Sequence, residues 1–112
     1  MSAEYTSPSE AELRLLTVLL SRSGCPPEWA EQLLVSHMAD GGMGSLKLQL
    51  SGRERDGVGF GRASAELEFD DADGVRVIAT LNLGEDGLPL ELDIWKTDFS
   101  PLKRVPDLLP NA

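Results

Sequence analysis

Apolar residues alternate with polar ones along four stretches of the chain, and each stretch predicts a β-strand. The alternation covers residues 46–50, 63–69, 75–83 and 88–94. A two-residue period turns every second side chain to the same face, so each strand offers one face to a core and one to solvent. Glycine and aspartate dominate the turns that separate the last three strands. Such turns favour antiparallel neighbours, which predicts a four-stranded meander.

Two helices are expected before the strands. Ser7 and Glu10 fit a capping box, and the leucine-rich apolar face that follows ends before Gly24. Pro27 is suited to begin a second, short helix over residues 27–38. The predicted fold class is therefore α+β, with a helical hairpin packed on one face of a four-stranded antiparallel meander sheet, in the order ααββββ.

The lengths of the turns predict one row of side chains across the outer face of the sheet. Counting back from a four-residue loop at Gly84–Gly87 places Arg76 opposite Trp95, and the preceding hairpin places Glu68 opposite Arg76. The row would combine an ion pair with a cation–π contact between Arg76 and Trp95.

Length and composition indicate how many domains the chain can form. The chain has 112 residues, 41% of them hydrophobic, which suits a single domain over residues 1–112 with one core over about residues 7–102. Three prolines after Phe99 predict a flexible or extended tail at 103–112. No apolar run is long enough for a membrane span, and the amino terminus lacks a signal sequence, so we expect a soluble, cytoplasmic protein.

Charge is distributed unevenly. Residues 64–98 hold ten acids and two bases, so most of the net charge of −9 lies in the sheet half. This field opposes nucleic acid and anionic membranes and favours a basic protein partner, although acidity also serves solubility alone. The outer sheet face is the predicted protein-binding surface, and its candidate residues are Glu66, Glu68, Arg76, Glu91, Asp93 and Trp95.

Trp95 has two interpretations. An indole beside carboxylates on a solvent-facing strand is typical of recognition surfaces, because it combines apolar area with an N–H donor. The more ordinary outcome for a tryptophan is burial, beneath a helix, the tail or a dimer partner.

No catalytic, cofactor-binding or metal-binding residue is predicted. Cys25 and His37 are the only residues of their types and flank the predicted second helix, too far apart for a nucleophile and its base. Asp70–Gly74 resembles the start of a calcium loop, but a strand follows where a helix is required, so a turn is favoured. Carboxylates such as Glu91 and Asp93 share an open face that cannot exclude water, which favours a solvated acidic surface.

Three stretches carry a family resemblance: MADGGMGSL at 38–46, VIATLNL at 77–83 and ELDIWKTDFSPL at 91–102. They resemble the signature stretches of a small bacterial family of unknown function, and the resemblance extends over about residues 13–102. It implies no reaction, cofactor or site residue.

The function expected first is a non-catalytic protein-binding module, with an immunity protein that neutralises a basic toxin as its concrete form. One alternative is an enzyme or ligand-binding domain with a pocket between the sheet and the glycine-rich loops at 41–44 and 57–61. The second of these lies within residues 51–61, which are predicted to form a mobile loop or a wide hairpin connection. Another is a structural homodimer that uses the sheet face or an edge strand.

Overall fold

The strands form one antiparallel sheet in the computed structural model, which describes residues 4–51 and 57–109. Its order is β1-β2-β5-β4-β3. The α+β class and the antiparallel pairs β3–β4 and β4–β5 are confirmed, but the four-stranded meander is wrong at β2, which pairs with β1 and β5 and leaves β3 at the far edge. The strands are β1 (Leu33–His37), β2 (Leu46–Leu50), β3 (Phe60–Asp70), β4 (Arg76–Gly84) and β5 (Pro89–Lys96).

Helix α1 (Glu10–Arg22) is the α-helix of the described residues. Its capping box begins at Ser9, two residues after the predicted Ser7: Ser9 Oγ accepts from the N–H of Glu12 at 3.1 Å, and Glu12 Oε1 accepts from the N–H of Ser9 at 2.8 Å. The helix ends before Gly24, whose φ of 76° confirms the predicted stop.

The predicted second helix is wrong. A 3₁₀-helix covers only Pro27–Gln32, and the chain then enters β1. Leu33 and Val35 point to the same face of β1, where both are buried opposite leucines of β2. These apolar residues also have the spacing of a helix, but pairing with β2 buries them in a strand.

The core lies between α1 and one face of the sheet. Helix α1 packs on β3, β4 and the 3₁₀-helix, and its buried side chains are leucines. The core continues past Leu102, where the sequence placed its end, because Val105 and Leu109 are buried in the same cluster. The chain after β5 runs without regular structure along this cluster to residue 109, and residues 110–112 of the predicted tail lie outside the described part.

The pairing register differs from the predicted row. Trp95 opposes Ile78 instead of Arg76, and Arg76 opposes Asp70 instead of Glu68. The β4–β5 loop is one residue shorter than predicted and a β-bulge adds one more, so this pairing shifts by two, and a tighter β3–β4 turn shifts the other pairing by two. The shift of two leaves Glu66, Glu68, Asp93 and Trp95 on the predicted outer face, whereas Ala63 and Pro89, which lie beside bulges, are on the opposite face from the one that the alternation predicts.

Candidate functional site

Lys96 is the most unusual residue of the sheet, because its side chain is fully buried. It follows Leu92 and Ile94 on the inner face of β5. Its Nζ donates to Asp71 Oδ2 at 2.8 Å, to Asp73 Oδ2 at 2.6 Å and to the carbonyl oxygen of Pro101 at 3.1 Å. Three acceptors match the three protons of an ammonium group, so the buried charge is fully paired.

Asp71 is the buried counterion. Besides Lys96, its carboxylate accepts backbone N–H groups of Ala72 at 2.6 Å, Lys103 at 2.8 Å and Arg104 at 2.8 Å. Burial alone would raise the pKa of Asp71, but the hydrogen bonds from Lys96 and from the backbone outweigh it and lower the pKa to about 2.

The pKa of Lys96 moves in the opposite direction. Burial would lower it, but the hydrogen bonds to Asp71 and Asp73 prevail and raise it. A lysine that stays protonated and donates all three protons is neither a nucleophile nor a base. Its role is to join the β3–β4 turn, the end of β5 and the segment after it.

The glycine-rich loop at 41–44 packs against the same place. Met43 Sδ lies 3.4 Å from the backbone nitrogen of Lys96, and Ser45 Oγ accepts from the N–H of Ile94 at 2.8 Å. Gly42, at a φ of 82°, passes so close to Pro101 that a Cβ there would lie 3.2 Å from the proline ring. The loop therefore combines a positive φ with a close approach, and glycine is suited to both.

Phe99 occupies the turn that follows β5. Its φ of 64° is the one positive value among the described non-glycine residues, and this conformation is costly for a bulky side chain. The turn is closed by the bond from the N–H of Phe99 to the carbonyl oxygen of Lys96 at 2.8 Å. Asp98 Oδ1 accepts from the hydroxyl of Ser100 at 2.7 Å and from the backbone N–H of Ser100 at 3.0 Å. These bonds hold the residue that follows Phe99.

Trp95 and Phe99 form an exposed aromatic pair on the outer face. Their ring centroids lie 6.2 Å apart with the planes inclined at 48°. Trp95 is 45% exposed and Phe99 69% exposed. Half-buried Ile78 opposes Trp95 and extends the apolar surface towards β4.

The structure brings the six candidate residues onto the same outer face. Glu66, Thr80 and Asp93 form one row across three strands, and Glu68, Ile78 and Trp95 form the next. The guanidinium of Arg76 contacts Glu68 at 3.1 Å and Asp70 at 3.0 Å. The predicted ion pair between Arg76 and Glu68 is therefore present as a diagonal contact, whereas the ring that contacts Trp95 is Phe99 and the predicted cation–π row is wrong.

Glu91 and Asp93 continue the acidic face along β5. Burial and the neighbouring charge of Asp93 raise the pKa of Glu91, and Lys47, which opposes Glu91 on β2, acts against this rise. Asn82 Nδ2 donates to Asp93 Oδ2 at 2.7 Å, which orients that carboxylate. The pair lies on an open surface, as predicted, and not in a pocket.

Cys25 and His37, the other two residues considered for chemistry, both contact other parts of the fold. Cys25 packs beside the core. His37 ends β1 instead of a helix, with its Nε2 2.9 Å from Glu12 Oε2. Among the residues that the structure describes, no group of three histidine, cysteine or acidic side chains could hold a metal ion. Within residues 4–51 and 57–109, no helix has the length and apolar character to cross a membrane.

A family described as Domain of unknown function (DUF6984) matches residues 5–106, which is nearly the whole chain. The chain belongs to this family. No curated protein and no solved structure matches it.

The two glycine-rich loops of this DUF6984 chain lie apart from each other. The glycine-rich loops pack at opposite ends of β5: Gly42 lies against Pro101, while the carbonyl oxygen of Gly59 accepts from the N–H of Glu85 in the β4–β5 turn at 2.9 Å. A cleft of about 500 Å³ is lined by Gly44, by Ile94 of β5, by α1 and by the segment after β5. Residues 52–56 of the second loop are outside the described part of the chain.

Proposed function

We propose that the protein is a non-catalytic binding module whose outer sheet face engages a basic protein. The observation that carries this proposal is the exposed pair of Trp95 and Phe99 within a face rich in carboxylates. In its concrete form the module is an immunity protein that covers the active surface of a basic toxin, such as a nuclease.

The aromatic pair supports the proposal through burial energetics. Trp and Phe are enriched at the centres of protein interfaces, because they bury a large apolar area with few rotatable bonds. Both rings remain substantially exposed, and Phe99 is presented by a backbone conformation that costs free energy. A costly conformation that exposes an apolar ring is explained by contact with a partner better than by the stability of the isolated chain.

The charges around the pair support a basic partner over a second copy of this chain. The outer face carries the acids Glu66, Glu68, Asp70, Glu91 and Asp93 against the bases Lys47 and Arg76. Two such faces brought together about a twofold axis would repel each other, whereas a basic surface would be attracted.

The surroundings of the cleft near Gly44 favour the binding module over the pocket alternative. Ser9 and Glu12 at its rim cap each other, and the guanidinium of Arg14 donates to the carbonyl oxygens of Val105 at 3.0 Å and Pro106 at 3.2 Å. These polar groups already stabilise the fold, so they are poorly placed to act on a substrate.

A pull-down with matched variants tests the proposal. The double variant Glu66→Gln, Asp93→Asn removes two charges from one row of the outer face, and Glu28→Gln, Glu31→Gln removes two exposed charges near the 3₁₀-helix. We expect the wild type and the Glu28/Glu31 variant to retain a basic protein from lysate of the source cells, and the Glu66/Asp93 variant to lose it.

Salt provides a second criterion. Because the attraction is between charges, raising the ionic strength should release the partner. The proposal fails if both double variants retain the same proteins, or if the retained protein is acidic and resists salt.

A further inference from the structure

We propose that the Trp95–Phe99 pair receives an arginine side chain of the partner, with the guanidinium stacked on the indole and its N–H groups directed towards Asp93. This inference rests on the proposed function and names the group that the outer face recognises. Its basis is the geometry of the two rings, the placement of the protein's own cations and the position of the nearest carboxylate.

The rings form an open wedge. A centroid separation of 6.2 Å at an inclination of 48° leaves the planes splayed instead of stacked face to face. Both side chains keep a large exposed fraction. A flat cation placed over the indole would lie within the roughly 6 Å over which a cation–π attraction acts.

The protein's own cations on this face are engaged elsewhere. Arg76 is held by Glu68 and Asp70. Lys96, which neighbours Trp95 in sequence, points into the core. Lys47 opposes Glu91 on β2, two strands away from the strand of Arg76. Among the described residues, the ring contact of Trp95 is with Phe99, so none of these three cations occupies the indole and a partner can supply one.

A carboxylate lies beside Trp95 on the same face of the sheet. Asp93 is two residues before Trp95 on the same face of β5, about 7 Å along the strand. Its Oδ2 accepts from Asn82, which is buried, so the orientation of the carboxylate is set before a partner arrives.

Arginine suits this arrangement better than lysine. Guanidinium is planar, stacks on aromatic rings while keeping its N–H groups at the edge, and pairs with a carboxylate through two bonds. An ammonium is compact and strongly hydrated, so it would bind the carboxylates without using the ring pair.

The test compares hexa-arginine with hexa-lysine peptides by calorimetry and by NMR of the two indole N–H groups. We expect hexa-arginine to bind at least about fivefold more tightly. It should shift the indole signal of Trp95 and leave that of Trp29, which packs beside the core, in place. Trp95→Leu should abolish the preference, while Phe60→Leu, at another exposed aromatic, should preserve it.

The outcomes separate this inference from the proposed function. Equal affinity for the two peptides, lost together in Glu66→Gln, Asp93→Asn, overturns the arginine site and keeps the acidic binding face. A preference for arginine that survives Trp95→Leu also overturns the arginine site. Failure of both peptides to bind overturns the arginine site, and the pull-down then decides the proposed function separately.

Discussion

Lys96 and Asp71 show how two charged side chains become part of a core. Each is fully buried, and each hydrogen-bonding group has a partner at 2.6–3.1 Å. Removal of Lys96 would leave the carboxylate of Asp71 buried without a counterion, and removal of Asp71 would leave Lys96 with Asp73 as its one carboxylate partner, so either change is more costly than loss of an exposed ion pair. The free energy of unfolding should therefore depend on this cluster more than on the exposed pairs of Arg76.

Asp71→Asn should lower the free energy of unfolding by about 3 kcal/mol, because it removes the fully buried counterion of Lys96 and leaves the ammonium with the partly exposed Asp73 as its charged partner. Asp70→Asn is the matched control, since the neighbouring carboxylate pairs with Arg76 on the exposed face, and its cost should stay below about 1 kcal/mol. Urea unfolding followed by circular dichroism measures both. Equal losses would contradict a buried cluster.

Acid should act through the same carboxylate. The pKa of Asp71 falls from its model-compound value of 3.8 to about 2 on folding. Its contribution to stability is therefore present above about pH 4 and is lost as the pH falls towards 2. The pKa of Lys96 is raised above its ordinary value of 10.5, so the contribution of Lys96 is fully present below that pH and is lost only in stronger alkali. As the pH is lowered from 4 to 2, the free energy of unfolding should fall less steeply for Asp71→Asn than for the wild type. Urea unfolding at each pH measures it.

Phe99→Gly should stabilise the isolated protein and weaken its binding. Glycine adopts a φ of 64° without the steric cost, so we expect a gain of about 1 kcal/mol in the free energy of unfolding, since little packing is lost at a ring 69% exposed. Binding of the basic partner should fall at least about fivefold. Thermal unfolding and the pull-down measure the two effects, and a variant that is less stable yet binds normally would contradict this role.

Several residue-scale features could be predicted from the sequence and others could not. Alternation placed Glu66, Asp93 and Trp95 on one face, because a two-residue period survives a register shift of two. The same alternation, continued one step past Ile94, reaches Lys96, but the charge of lysine argues against burial until the carboxylates of a distant turn are known. Phe99 lies in a turn without periodicity, so its exposure had no sequence signal.

At the scale of elements, β1 was missed because its spacing is ambiguous. Leu33 and Leu34 fit one face of a helix that begins at Pro27, whereas Leu33 and Val35 fit a strand. The antiparallel ladder with β2 decides between them, and a ladder depends on residues 46–50 and not on the local sequence. The same dependence on distant partners explains why the sequence predicted β2 to β5 as strands but placed β2 beside β3 instead of beside β5.

The segment after β5 should contribute to stability. Leu109→Ala should cost about 2 kcal/mol, because Leu109 is buried against the core. Leu108→Ala is the matched control, since Leu108 is 90% exposed and its truncation should change stability by no more than about 0.5 kcal/mol. Urea unfolding compares them. Equal and negligible effects would show that the segment does not pack in solution.

At the scale of the whole molecule, the sheet separates two environments. One face is covered by α1 and the segment after β5, and the other presents the aromatic pair and the acidic rows. Lys96 connects the β3–β4 turn, through Asp71 and Asp73, to the segment after β5, through Pro101. Phe99 lies in the turn between Lys96 and Pro101. The buried charges therefore stabilise the position from which the two rings are presented.

Photo-crosslinking in the source cells tests the central claim, that this face binds a basic protein, most directly. A photoreactive phenylalanine replaces Phe99 in one form and Phe60 in the other. Both positions are exposed and aromatic. They lie near opposite ends of the sheet, because Phe60 pairs with Gly84 of β4, whereas Lys96, just before Phe99, pairs with Val77. Gly84 and Val77 are roughly 23 Å apart along the strand. We predict an adduct with a basic protein at position 99 that disappears with Glu66→Gln, Asp93→Asn, and none at position 60. Equal adducts at both positions, or none at position 99, would contradict the claim.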